Sequence, residues 1–284
     1  MTDPIMTDPT TPDPTMSEAK TSDAKTTGPI TPAPGLLEER IEEIKASIVF
    51  CTRLPLLRPA PIAGVAIGKA AWTFPLAGLL IGLIAAAVYA LAHKLGLPSW
   101  PAATLTVAAT LLATGCLHED GLADTADGFG GGKTREQKLA IMRDSRIGTY
   151  GVCALVLSLL IRIGALASFF DTRSVLWALI AAHVGARAAM PALMFLLKPA
   201  RSDGLSFAAG HPSGNAVAIA LAIGFIVLAI ALRPLRGIVA LIGLGVVILL
   251  MAWLSNRQID GQTGDVIGAL EQASEVVILL VALG

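Results

Sequence analysis

The run Ala70–Ala92, AAWTFPLAGLLIGLIAAAVYALA, carries no charged side chain over 23 residues. Rising about 1.5 Å per residue as a helix, it is long enough to cross a hydrocarbon core of about 30 Å. Further runs of this kind follow at Trp100–Leu117, Val152–Phe170, Val175–Leu197, Asn215–Leu232, Gly237–Leu254 and Asp265–Gly284. The last is apolar only from Val276, so its first turns, with Glu271 and Glu275, must be wet or face protein. Composition agrees: 54% of the 284 residues are hydrophobic, 15% are charged, and mean hydropathy is +0.71. The expected fold is all-α, a polytopic transmembrane helix bundle of six to seven spans, with an acidic loop or helix on the cytoplasmic side.

Outside the spans the chain changes character. Residues 1–35 are rich in Thr, Pro, Asp and Ser and are expected to form a disordered tail, leaving 36–284 as a single membrane-embedded catalytic domain. The tail lacks a basic segment followed by an apolar one, so it does not read as a secretory signal. Leu36–Phe50 is amphipathic and suited to lie along a membrane surface. With zero net charge, no field draws the chain to nucleic acid, and none is expected as a partner. Cys51, Cys116 and Cys153 form no C-x-x-C pair and read as small buried hydrophobes, not as a disulfide or zinc site. With the N-terminus inside, the inner segments carry thirteen cations and the outer turns four, which places the polar loops in the cytoplasm.

One of those loops is exceptional. Cys116–Gly151, CLHEDGLADTADGFGGGKTREQKLAIMRDSRIGTYG, holds six carboxylates and five cations. Asp120, Asp124 and Asp127 stand at i, i+4 and i+7, one face of a helix. Stacked like charges repel. A hard divalent cation, Mg²⁺ with phosphate oxygens, is the natural compensation, and Asp144 could complete its ligand set. The alternative is a solvated loop whose acids balance its bases. Gly128 and Gly130–Gly132, followed by Lys133, would let backbone amides approach an anion, although the spacing is not that of a P-loop.

Other polar residues allow two readings. Asp144-Ser145-Arg146-x-Gly148-x-x-Gly151 offers an arginine for a phosphate oxygen, or simply a helix cap. Arg187 lies deep in its span, one turn after His183; it either reaches a substrate anion or pairs with an acid such as Glu271. No role is assigned to Arg162, and His183 reads as an interhelical hydrogen bonder.

These residues resemble a family. His118-Glu119-Asp120-Gly121-Leu122-Ala123-Asp124-Thr125-Ala126-Asp127-Gly128, with Ile141-Met142-Arg143-Asp144-Ser145-Arg146-x-Gly148, is similar to the cobalamin synthases, the adenosylcobinamide-GDP ribazoletransferase family. Supporting stretches are Phe50-x-Thr52-Arg53-Leu54-Pro55, Phe74-Pro75-Leu76-x-Gly78, Arg187–Pro191, Arg201–Ser206 and Thr263-Gly264-Asp265-x-x-Gly268-Ala269, spanning about residues 47–276. The long leader and Cys51 depart from the pattern. The resemblance implies a Mg²⁺-dependent enzyme of the bacterial inner membrane with its site toward the cytoplasm. It would join adenosylcobinamide-GDP to α-ribazole or its 5′-phosphate, releasing GMP. On that basis Asp120, Asp124, Asp127 and Asp144 are the expected metal ligands. Asp127, Asp144, Arg146 and Arg187 are the expected catalytic residues, with Asp127 or Asp144 as general base. Arg53, His118, Lys133, Arg201 and Asp265 are the expected substrate and phosphate contacts. Beyond substrates and the lipid bilayer, a homo-oligomer or other late cobalamin-pathway enzymes are admitted as partners.

Two other functions compete. A CDP-alcohol phosphotransferase also sets aspartates along membrane helices, but its D-G-x-x-A-R element fails here, because Ala123 and Asp124 follow Gly121-Leu122. A secondary transporter would use midplane carboxylates and paired repeats. The acids here cluster at one membrane edge instead, and no repeat is found.

Overall fold

The computed structural model describes residues 35–54 and 67–284. Residues 1–34 of the expected tail and Pro55 of the TRLP segment lie outside them. Among the described residues, all regular elements are helical. The chain begins with α1 (Leu36–Cys51), then α2 (Ile67–Ala70) and a 3-10 turn, Ala71–Thr73. Buried Glu43 ties these together, accepting from Arg40 Nη1 at 2.6 Å and from Trp72 Nε1 at 2.8 Å. Helix α3 (Phe74–Lys94) opens with Pro75 in its first turn, where a missing N–H costs nothing.

A turn leads to α4 (Ser99–Thr114). Gly115 and Cys116 then take left-handed conformations, φ 63° and 57°, and swing the chain through 89° into α5 (Leu117–Gly131). Helix α6 (Arg135–Ile141) starts from a Thr134–Gln137 capping box. The remainder comprises α7 (Thr149–Ala167), α8 (Thr172–Leu196), the short α9 (Leu205–Ala209), α10 (Gly214–Ala231), α11 (Pro234–Ile259) and α12 (Gly264–Leu283). Six segments are long and apolar enough to cross a membrane: Ile67–Lys94, α7, α8, α10, α11 and α12. The bent pair α4–α5 raises the number to seven. The protein is an integral membrane helix bundle, as expected.

Helix α8 is its axis. Some 83% of its apolar window is buried inside the bundle, against 28% for α7 and α10 and 22% for α11, whose outer faces are left for lipid. Its sequence explains this: AAHVGARAAMPA has the small side chains that let helices approach closely where no water drives them together. Gly78 of α3 backs onto His183 and Gly82 onto Ile180, so α3 runs antiparallel to α8. Ion pairs His183–Glu275 and Arg187–Glu271 set α12 antiparallel to α8 as well. Cys51 is buried as expected, but Cys116 and Cys153 are exposed.

At one end of the bundle α4, α8 and α11 finish while α7, α10 and α12 begin. Helix α5 crosses α7 and α12 here, from Asp127 at Gly148 to Glu119 at Arg162 and Gln272. Gly121 makes that crossing close, since a Cβ there would stand 2.7 Å from the Asp265 carbonyl of α12. Neighbouring loops are fastened to each other: Ala200 donates to Gln262 at 2.8 Å, Gln262 to Lys198 at 2.9 Å, and Arg135 Nε to the Ile259 carbonyl at 2.9 Å. Three polar stretches far apart in sequence, around Arg135, Lys198–Ala200 and Ile259–Gln262, thus meet at this end.

The helix contacts make a paired prediction. A Cβ on Gly78 would sit 2.3 Å from the His183 carbonyl oxygen, whereas at Gly164 nothing lies within 4 Å. Gly78→Ala is expected to destabilise the bundle by about 1–3 kcal/mol through overpacking. Gly164→Ala should be neutral or stabilising by up to about 1 kcal/mol, because glycine is a poor helix former. Thermal unfolding in detergent compares the two.

Candidate active site

Helix α5 is polar on two sides, and each side is answered differently. Its inner side carries His118 and Glu119, both buried. Glu119 Oε1 accepts from Arg162 Nη1 of α7 at 2.9 Å and from Gln272 Nε2 of α12 at 3.1 Å. Arg162 also reaches Glu275 Oε1 at 2.9 Å and Thr110 Oγ1 of α4 at 3.3 Å. Glu275 Oε2 lies 3.3 Å from His183 Nδ1, and Arg187 Nη1 lies 2.7 Å from Glu271 Oε1. Arg187 Nη2 completes the chain at 3.4 Å from His118 Nδ1. Glu271 Oε2 stands 3.6 Å from the same nitrogen. Five helices are tied together by one buried network.

That network settles several open readings. Arg187 pairs with Glu271 and stays sealed from the cavities beside α5; the ion-pair alternative is the observed one. His183 is an interhelical hydrogen bonder. His183, Glu271 and Glu275 bring ligand atoms within 4.8 Å of one another, the one such metal-competent group among the described residues. Arg162 and Arg187 already occupy its carboxylates, so it reads as an ion network and not as a metal centre.

The outer side carries the aspartates. Asp120 is exposed, Asp124 half-buried and Asp127 buried, so the i, i+4, i+7 stripe does not face one environment. Asp127 turns to the start of α7: Gly148 N donates to Oδ2 at 2.7 Å and Gly151 N to Oδ1 at 2.9 Å. A carboxylate on orphan amides at a helix N-terminus is a favourable cap. It also explains the glycines of the R-x-G-x-x-G segment, since a Cβ on either would lie 2.4 Å from an Asp127 oxygen. Each Asp127 oxygen thus accepts one backbone hydrogen bond, which holds the carboxylate against the start of α7.

Asp120 and Asp124 differ. Among the described residues neither makes a hydrogen bond or an ion pair. Burial, then the charges of Asp120, Asp265 and Asp127, push Asp124 up to about 7. The cations around them are otherwise engaged. Arg146 Nη2 holds Asp144 Oδ2 at 2.6 Å and keeps Asp144 down to about 2; Arg143 grips Asp203; Arg201 Nη2 stands 3.6 Å from Asp265 Oδ2. No three carboxylates here converge within 4.8 Å. The donor set is thus two adjacent, unpaired oxygen ligands on one helix face, short of positive charge. That fits a hard divalent cation completed by water or phosphate oxygens.

Two cavities flank α5, and Asp120 lines both. The one toward α7 has Asp124, Arg143, Asp144 and Ser145 on its polar side and Leu155 and Leu159 behind. The other, toward α8 and α12, has His118, Arg201, Ser206 and Asp265 with Met190 and Met194. Two expected contacts fall elsewhere. Lys133 is exposed beyond the end of α5, and the glycine run before it is helical to Gly131, packed on Met142, Tyr150 and Lys138 instead of cradling an anion. Arg53 is exposed, its side chain lying over Gly115. Neither lines the two cavities.

Fold and site together define a polytopic membrane protein with an acid-rich, phosphate-suited centre at one end of its bundle. A family model described as cobalamin-5-phosphate synthase matches residues 43–283, and the chain belongs to that family. It is 54% identical over 251 residues to the adenosylcobinamide-GDP ribazoletransferase of Bradyrhizobium diazoefficiens, covering 88% of this chain and 96% of the relative. The proteins of the same name from Mesorhizobium japonicum and Azorhizobium caulinodans are 51% and 47% identical, covering 85% and 84% of this chain and 93% and 94% of theirs. No solved structure matches. The chain is therefore an enzyme, a transferase of a phosphate-bearing group.

Arg162→Met would leave Glu119 and Glu275 buried without their shared cation. A loss of about 3–5 kcal/mol is expected. Adding Glu119→Gln, which removes one stranded charge, should restore part of it; melting of the single and double variants in detergent measures both.

Proposed function

We propose that this protein is an adenosylcobinamide-GDP ribazoletransferase, joining that donor to α-ribazole or its 5′-phosphate with Mg²⁺, at the cytoplasmic face of a bacterial inner membrane. The observation that carries it is the unpaired Asp120–Asp124 couple beside a cavity whose arginine, Arg143, is paired to the exposed Asp203. Attack of an α-ribazole hydroxyl on the phosphorus bound to cobinamide forms one P–O bond and breaks the pyrophosphate link, releasing GMP; the hydroxyl proton must leave.

Asp120 and Asp124, one helical turn apart, would hold the ion. When bound, Mg²⁺ supplies charge neutralisation for the phosphoryl oxygens. Arg146 sits on an exposed loop at the rim. Exchanging Asp144 for a phosphate oxygen, it would add a planar pair of donors there. The exchange has a second effect: the hydrogen bonds that hold Asp144 near 2 are withdrawn, and its proton affinity rises. Asp144 is then the group placed to take the hydroxyl proton. Asp127 fixes the start of α7, and with it the loop that carries both residues.

The test is GMP release by purified protein in detergent from adenosylcobinamide-GDP and α-ribazole. EDTA is expected to abolish it, and Asp124→Asn to lower it by a factor of about 10² or more; retention of full rate in either case refutes the metal assignment.

A pH dependence follows from Asp124. A carboxyl raised to about 7 must lose its proton before a cation binds. Mn²⁺ affinity should therefore be flat above about pH 8 and fall about tenfold per unit below about pH 6. Asp120→Asn removes a like charge and should move the inflection to lower pH while weakening binding, as read by electron paramagnetic resonance titration.

A further inference from the structure

We propose that the crevice between α5, α8 and α12 is the acceptor site, taking a benzimidazole nucleoside or its 5′-phosphate, while the bulky corrinoid donor enters by the cavity on the α7 side. This rests on the ribazole-transfer reading and adds to it which cavity takes which substrate. The two cavities differ in size, about 720 Å³ on the α8 side and about 1050 Å³ on the α7 side. The smaller suits a planar ring with its ribose, the larger an opening for a macrocycle.

The walls match such a ligand along its length. Phe50, Met190, Met194 and Ile267 give the crevice an apolar end, with Phe50 stacked on Phe74 at 5.7 Å. Thioethers and aromatic rings are favourable partners for a flat heteroaromatic face. Polar groups gather at the other end: Arg201, Ser206, Asp120 and Asp265. Ser206 is held there by Gln262 at 2.6 Å.

Two atoms on this wall are buried and have no hydrogen-bond partner: His118 Nε2 and Arg201 Nη1. His118 is 98% buried by side chain. Unsatisfied buried polar atoms are costly, and a ligand that pairs them relieves that cost. Arg201 is placed to read the 5′-phosphate, and His118 a ribose hydroxyl or a ring nitrogen. Asp120 lines both cavities, so the acceptor hydroxyl and the donor phosphorus, entering from different sides, meet at its edge of α5.

The experiment uses the full-length protein in detergent with α-ribazole and α-ribazole 5′-phosphate as alternative acceptors. Arg201→Gln should raise KM for the phosphorylated acceptor by about tenfold or more, with KM for α-ribazole and for the donor moving by less than about threefold. Leu205→Trp, at an exposed residue on the crevice mouth, should weaken α-ribazole binding by at least about tenfold in equilibrium dialysis without donor. Leu159→Trp, on the α7-side cavity, should leave that binding unchanged and raise donor KM. Equal KM changes for both acceptors in Arg201→Gln, or loss of α-ribazole binding in Leu159→Trp but not Leu205→Trp, overturns the assignment while GMP release by the unmodified protein keeps the transfer reading intact. Absence of that GMP release overturns both.

Discussion

The bond between Arg162 and Glu119 holds this architecture to its purpose. A helix as polar as α5 has no reason to pack against an apolar bundle, and its burial would be unfavourable without counter-charge. Arg162 and Arg187, placed in α7 and α8 where intramembrane charge is expensive, supply it through Glu119, Glu271, Glu275 and His118. The penalty of burying either arginine alone is offset only when α5 and α12 are in place. The polar helix is thus specified from inside the bundle, by partners four different helices provide.

This arrangement also decides the chemistry on the opposite side. With its inner acids neutralised, α5 presents Asp120 and Asp124 outward with no cation of their own, while Arg143, Arg146 and Arg201 are each engaged with a different carboxylate. Burial, and after it the local surplus of negative charge, raises Asp124. Nothing about the bundle's stability calls for that surplus, which is what the proposed cation site would require.

Much of the fold was legible because a bilayer imposes length: an uncharged run near twenty residues has few alternatives, and the spans begin and end within a few residues of where the hydropathy changes. The acidic stretch was legible as a helix. Less visible was which acid does what. Asp127 belongs to the same stripe as Asp120 and Asp124, yet its partners are Gly148 and Gly151, 21 and 24 residues on, and helical periodicity says nothing about them. Glu119 sits next to Asp120 and faces the other way, toward Arg162, 43 residues distant. Charges in mid-span were the sequence signals of that network: Arg187 had Glu271 as one of its two readings, as the structure has it, whereas Arg162 named no partner. The glycine run misled for the same reason: glycine permits close approach to an anion or to a helix, and here the neighbour is α6 and Tyr150.

A transfer between two large substrates has a geometric requirement that the bundle end meets. In displacement at phosphorus the entering and leaving oxygens lie on opposite sides of the reacting atom. A single deep pocket would force both substrates through one mouth and stack them on the same side. Two openings that share the Asp120 edge of α5 would let them approach separately and meet at that edge, beside the proposed metal ligands. That edge must stay rigid, since displacement of about 1 Å at the reacting centre is costly in rate. Rigidity is what the buried ion network, the Asp127 clamp on α7 and the Gly121 contact with α12 confer on α5. The polar ties that make the helix tolerable within the bundle are therefore the same ones that keep its aspartates in register for the reaction.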